Sequence, residues 1–122
     1  MSSFIPYGRQ DISQEDIDTV VEVLRSDWIT QGPKIAVFEK IVSDYCGAKY
    51  AVAVSSATAG LHIACLAAGL SQGDILWTSP NTFVASANCG LYCGATVDFV
   101  DIDPNTYNLS IEELEQKLTE AE

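Results

Sequence analysis

The segment Ser55-Ser56-Ala57-Thr58-Ala59-Gly60 holds the residues best suited to chemistry in this 122-residue chain. It follows Tyr50-Ala51-Val52-Ala53-Val54, a valine-rich apolar run that reads as a buried strand. It precedes Leu61–Ala68, which is helical by propensity and apolar nearly all round, as a helix buried on most sides would be. Small side chains let a ligand approach the backbone. The first N–H groups of a helix have no partner within it, and the macrodipole favours an anion there. The Ser56 and Thr58 hydroxyls add donors, so the segment suits a phosphate group. The same serines and threonine also suit a simple cap on a buried helix, and the segment alone does not separate the two readings. It matches neither GxGxxG nor GxxxxGK[ST], so a Rossmann dinucleotide site and a P-loop are unsupported.

Three aromatic positions follow. Phe83 comes one loop after a second expected strand, Ile75–Thr78, and ligands of open α/β sheets collect at the carboxyl ends of strands. Its ring suits stacking on a flat heterocycle or packing in a core. Trp28, beside Thr30 and Gly32, suits the wall of a ring-ligand site or packing against a sheet. His62, inside an apolar helix start, reads as a satisfied core histidine.

The elements that must place these residues are legible from periodicity and punctuation. Ser13 caps a first helix with acidic residues in its first turn and a stripe of Ile17, Val20, Val21 and Leu24. The pattern stops near Ser26-Asp27. Gly32 marks a turn, Pro33 suits the first position of a second helix, and Phe38, Ile41, Val42 and Tyr45 form its stripe up to the stop at Cys46-Gly47. Phe83–Tyr92 reads as a short helix and Ala95–Val100 as a third strand. Ser110 with Glu113 forms the capping box of a last helix, whose stripe is Ile111, Leu114 and Leu118. The order α-α-β-α-β-α-β-α implies βαβ crossovers and a parallel sheet. Residues 1–122 read as a single domain, with a helical segment over 1–47 and βα units over 48–122; the resemblance given below makes it a partial one.

Composition bounds the function. Hydrophobic residues make up 48% of the chain, enough for a core, and folding a chain of this size buries roughly two-thirds of its unfolded surface. No apolar run is long enough to span a membrane, and Met1–Pro6 lacks the basic and apolar regions of a leader. Seventeen acidic residues against six basic ones give a formal charge of −11. Such a chain is repelled by nucleic acid and by anionic lipid. Cys46, Cys65, Cys89 and Cys93 read as reduced structural thiols of a cytoplasmic protein; no CxxC occurs and no metal site is expected.

Taken in order, the residues resemble one family. They are Ile5-Pro6-Tyr7-Gly8, Trp28-Ile29-Thr30-Gln31-Gly32-Pro33 with Phe38-Glu39, and Ala53 through His62. Thr78-Ser79-Pro80 with Thr82–Asn88, Tyr92-Cys93-Gly94-Ala95 and Val100-Asp101-Ile102-Asp103-Pro104 follow. The chain resembles the DegT/DnrJ/EryC1/StrS sugar aminotransferases, fold-type-I pyridoxal-phosphate enzymes, over nearly its whole length. Within that family the Ser-Ala-Thr loop and the stretch around Asn88-Cys89 look most like the UDP-4-amino-4,6-dideoxy-N-acetyl-β-L-altrosamine transaminases of pseudaminic acid biosynthesis. Gly60 stands where the family usually has alanine.

The resemblance implies an α/β fold, the N-terminal part of a large domain with three αβα layers and a mostly parallel sheet. It implies that Ala57, Thr58 and Ala59 hold the phosphate of pyridoxal 5′-phosphate and that Phe83 stacks on its ring. Tyr7, Asp27, Trp28, Ile29 and Thr30 would line the nucleotide-sugar side, with glutamate giving the amino group to a 4-keto sugar nucleotide. The family's Schiff-base lysine and pyridinium-pairing aspartate lie farther along a longer chain. Lys34, Lys40, Lys49 and Lys117 each read as surface residues. The expectation is therefore the front part of an aminotransferase, inactive alone, that associates into an oligomer, with a non-catalytic phosphate-binding or dimerisation module as the alternative.

Overall fold

The computed structural model describes residues 5–121. Residues 1–4, part of the stretch read as lacking a leader's pattern, lie outside them. The chain divides into two compact units, Met1–Ala53 and Val54–Glu122.

The first unit holds α1 (Gln14–Arg25) and α2 (Pro33–Cys46). A reciprocal box starts α1: the Asp16 N–H donates to Ser13 Oγ at 3.2 Å, and the Ser13 N–H donates to Asp16 Oδ2 at 2.8 Å. Those bonds to Ser13 favour the ionised form and hold the Asp16 carboxyl below the usual carboxylate range. Pro33 opens α2 directly after Gly32, and Gly47 closes it at φ +64°, a left-handed conformation that glycine adopts without steric cost.

Tyr50–Val54 is not a strand. A strand exists only through a ladder partner, and the described residues offer this run none. The Ala53 N–H instead donates to the Glu39 carboxylate on α2 at 2.9 Å.

The second unit holds α3 (Ala57–Ala67), β1 (Ile75–Thr78), α4 (Ala85–Tyr92), β2 (Thr96–Phe99) and α5 (Ile111–Ala121). β1 and β2 pair in parallel, with Ile75 opposite Thr96 and Trp77 opposite Asp98. The helix between them, α4, packs on both strands and on α3. The result is an α/β arrangement around a small parallel sheet. Its core is Ala85, Cys89, Ala95 and Val100. Of the named elements α3 packs only against α4, which leaves Leu61, Ile63 and Leu66 exposed in this chain rather than buried.

Two features seat the sheet. Gly90 is where α4 meets it: a Cβ there would lie 2.8 Å from Leu76 Cδ2 and 3.1 Å from Val97 Cγ2. Lys117, expected at the surface, instead ties α5 to the strands. Its Nζ donates to Phe99 O at 2.7 Å, pairs with Asp98 Oδ2 at 2.6 Å, and sits 5.7 Å from the Trp77 ring centroid. The hydrogen bond from Lys117 holds the Asp98 carboxyl below its ordinary value. The capping box expected at α5 is half formed. The Glu113 N–H donates to Ser110 Oγ at 3.2 Å, but the Ser110 N–H goes to Asp101 O at 2.8 Å, closing the turn after β2.

Two glycine substitutions should therefore act in opposite directions. At Gly60 a Cβ meets only Val54 Cγ2, at an ordinary 3.5 Å, so Gly60→Ala should stabilise by about 0.5–1 kcal/mol through helix propensity. Gly90→Ala should destabilise by about 1–3 kcal/mol through overpacking. Urea unfolding of the two variants checks the pair; equal midpoints would contradict it.

Candidate functional site

The start of α3 is built from its backbone upward. Ser56, extended at φ −163° and ψ 161°, is the N-cap; its Oγ accepts the Ala59 N–H at 3.1 Å and its carbonyl accepts the Gly60 N–H at 3.0 Å. The cap satisfies the third helical N–H and leaves the first two. The N–H groups of Ala57 and Thr58 have no partner among the described residues. Ser55, Ser56 and Ala57 are exposed, and Thr58 and Ala59 are half-buried. Residues 55–60 themselves carry no side chain larger than threonine, which leaves room for an anion at these N–H groups.

Charge is nearly absent from the surrounding sequence, although the Glu39 carboxylate of α2 reaches the Ala53 N–H. Between Tyr50 and Val97 the sequence has a single formally charged residue, Asp74. Attraction for an anion here comes from the backbone N–H groups and the helix dipole, without a lysine or arginine.

Phe83 lies in the loop after β1, two residues before α4, and is 74% exposed. It does not pack in a core among the described residues, and its ring faces are open to a planar partner. Beside it, Thr82 Oγ1 and Ser86 Oγ are hydrogen-bonded at 3.0 Å, bracketing the entry to α4. His62, on α3, is half-buried and meets the Tyr92 ring of α4 edge to face, with centroids 5.3 Å apart.

The remaining candidates belong to the first unit. The Trp28 N–H donates to Ser26 Oγ at 3.2 Å, and Ser26 Oγ donates to Val23 O at 2.8 Å, which turns the chain sharply out of α1. Trp28 and Ile29 then line a cavity of about 390 Å³ with Glu22, Val23, Gly32 and Lys34 among its other walls. Lys34 Nζ lies 3.9 Å from Glu22 Oε2. Gly32 is required by close approach: a Cβ there would lie 2.9 Å from Trp28 Cβ. Asp27 and Thr30 are exposed and are not among the cavity's walls, and Tyr7 is fully exposed. Of the loop read from sequence as the wall of a ring-ligand site, Trp28 and Gly32 do line this cavity, and Gln31, held at φ 53°, joins them without having been singled out.

Among the described residues no group of three or more His, Cys, Asp or Glu side chains is arranged to hold a metal. No described helix is long and apolar enough to cross a membrane.

Comparison with known proteins covers both units. The sequence profile of the DegT/DnrJ/EryC1/StrS aminotransferase family matches residues 10–122. The spore coat polysaccharide biosynthesis protein SpsC of Bacillus subtilis is 46% identical over 116 residues, 95% of this chain and 30% of its own length. Spr1654 from Streptococcus pneumoniae, solved in its PLP form, superposes with a TM-score of 0.87 at 36% identity, covering 92% of this chain and 29% of that one. Helicobacter pylori PseC, an aminotransferase involved in the biosynthesis of pseudoaminic acid, superposes with a TM-score of 0.85 at 33% identity, covering 91% and 30%. The chain thus spans about a third of the length of these relatives.

The cap itself makes a measurable prediction. Ser56→Ala should cost about 1 kcal/mol of stability by freeing the Ala59 N–H, whereas Ser56→Asp should retain most of it. Thermal unfolding of the two variants distinguishes them; equal losses would mean that Ser56 Oγ does not cap α3.

Proposed function

The chain belongs to the DegT/DnrJ/EryC1/StrS aminotransferase family, and we propose that it supplies the cofactor-phosphate end of a pyridoxal-phosphate aminotransferase acting on a 4-keto sugar nucleotide. The observation that carries this reading is the start of α3, with two unpartnered N–H groups under small side chains. The residues fit a phosphate monoester: Ala57 and Thr58 offer backbone N–H groups, Thr58 a hydroxyl, and Ala59 leaves room for the group. Phe83 offers an open face for the pyridine ring. When bound, the cofactor supplies the electron sink on which amino transfer depends.

In this reading the chain's own residues bind and orient. The dianionic phosphate gains charge-assisted bonds at the helix start, and the Phe83 ring restricts tilt of the pyridine plane. Tyr7, Asp27, Trp28, Ile29 and Thr30 line the nucleotide-sugar side, and glutamate is the amino donor. The lysine that holds the cofactor aldehyde and the aspartate that pairs with the pyridinium lie outside these 122 residues, so the chain alone does not transaminate. The sugar belongs to pseudaminic acid or related surface-polysaccharide synthesis; the resemblance to PseC and SpsC supports that assignment. Four free cysteines fit a reducing, cytoplasmic setting. Exposed apolar side chains on α1 and α2, Val20, Leu24, Phe38 and Ile41 among them, favour association with a second copy. The same surfaces favour the alternative, a dimerisation module without chemistry.

Titration of the full-length gene product with pyridoxal phosphate, followed by its visible absorbance, tests the proposal. Thr58→Ala should weaken binding about tenfold and Thr58→Ser should largely restore it, as expected for one hydrogen bond to a charged group. Borohydride should fix the cofactor on a lysine outside residues 1–122. Unchanged affinity in Thr58→Ala, or an adduct on Lys34, Lys40, Lys49 or Lys117, would overturn it.

A further inference from the structure

The loop between β1 and α4, residues 79–84, carries Phe83 on a frame with few ties. Val84 occupies the N-cap position of α4 in a helical conformation, φ −53° and ψ −24°, and its side chain makes no cap bond. Serine and threonine at a helix start ordinarily accept a backbone N–H. Here Thr82 Oγ1 and Ser86 Oγ bond to one another at 3.0 Å, four residues apart. The Ser86 N–H also donates to Phe83 O at 3.0 Å. Ser86 thus holds the residue before Phe83 through its hydroxyl, and Phe83 itself through its backbone. Among the described residues, the other side-chain hydrogen bond of the loop is internal to it, from the Asn81 N–H to Ser79 Oγ at 3.3 Å.

Ser86 is a firm point to hold from. It is half-buried, and its neighbours Ala85 and Cys89 on α4 belong to the core. Its carbonyl accepts a hydrogen bond from Cys89 Sγ at 3.3 Å. Phe83 has no such seat. At 74% exposure its ring has little packing to fix it, so its place is set by the backbone that carries it.

We propose that Thr82 and Ser86 are positioning residues, whose hydroxyl pair holds the Phe83 ring as a ready platform for the pyridine ring of the cofactor. The inference rests on the reading of Phe83 as the stacking partner of that ring. Without the pair the loop samples more conformers, and binding must order it again at a cost in affinity. One hydrogen bond between neutral groups corresponds to a loss of about three- to tenfold. Removing either partner breaks the same bond, so the two losses do not add. The hydroxyls act through Phe83, so their effect vanishes where that ring is absent.

The test uses the full-length gene product and pyridoxamine phosphate, which cannot link to a lysine, so that calorimetric affinity reads non-covalent contacts alone. Thr82→Val and Ser86→Ala should each weaken binding about three- to tenfold, and the double variant no further. Thr82→Ser, which keeps the hydroxyl, should bind as the parent protein does. The circular dichroism of the bound cofactor, which reports its fixed orientation, should fall in Thr82→Val and recover in Thr82→Ser. Phe83→Ala should weaken binding, and adding Ser86→Ala to it should change nothing more. Losses that add in the double variant, or that persist without the Phe83 ring, would overturn the proposal. So would full affinity in both Thr82→Val and Ser86→Ala while Phe83→Ala binds weakly, a pattern that leaves the stacking reading standing. Full affinity in Phe83→Ala would overturn the stacking reading and this proposal with it.

Discussion

A helix cannot satisfy its own first N–H groups, and at α3 that constraint shapes the surrounding sequence. Ser56 takes the Ala59 N–H and leaves those of Ala57 and Thr58 facing outward. Larger side chains at 55–60 would cover these donors, and the sequence has serine, alanine, threonine and glycine there. In water the unpaired groups cost little. Against a phosphate they become charge-assisted bonds aligned with the helix dipole. In the proposed reading, a chain of charge −11 presents an anion site in this way. The acidic excess lies mainly in 11–27 and 98–122, screened over about 8–10 Å at physiological salt, while 50–97 is nearly neutral.

The other elements of the second unit hold α3 and its neighbours in place. Gly90 lets α4 settle onto Leu76 and Val97, and small residues let α4 meet α3. Lys117 fixes α5 across the ends of the parallel pair through Phe99 O and Asp98. This seat is narrow, because few side chains are fully buried and the unit relies on close backbone approach more than on a thick core. A small change of volume at Gly90 is therefore felt, whereas Gly60, with open contact distances, tolerates one.

Local chemistry was legible in the sequence, and pairing was not. Ser13, Gly32-Pro33, Gly47 and Ser110 marked helix ends because caps and stops act within a few residues. Tyr50–Val54 showed the apolar run of a strand, but strands need partners, and Ala53 found a carboxylate instead. Lys117 looked like a surface residue because its contacts with Phe99 and Asp98 span 18 and 19 positions. The site divides in the same way. The donors of Ala57 and Thr58 follow from helix geometry, while the cavity beside Trp28 depends on how a loop folds back between two helices.

A crystal structure of the full-length gene product with pyridoxal phosphate would show whether the first turn of α3 receives the cofactor phosphate. The expected structure has phosphate oxygens within hydrogen-bond distance of the Ala57 and Thr58 N–H groups, with Phe83 against the pyridine ring. A phosphate bound at another helix start or loop, with the first turn of α3 facing only solvent, would contradict it.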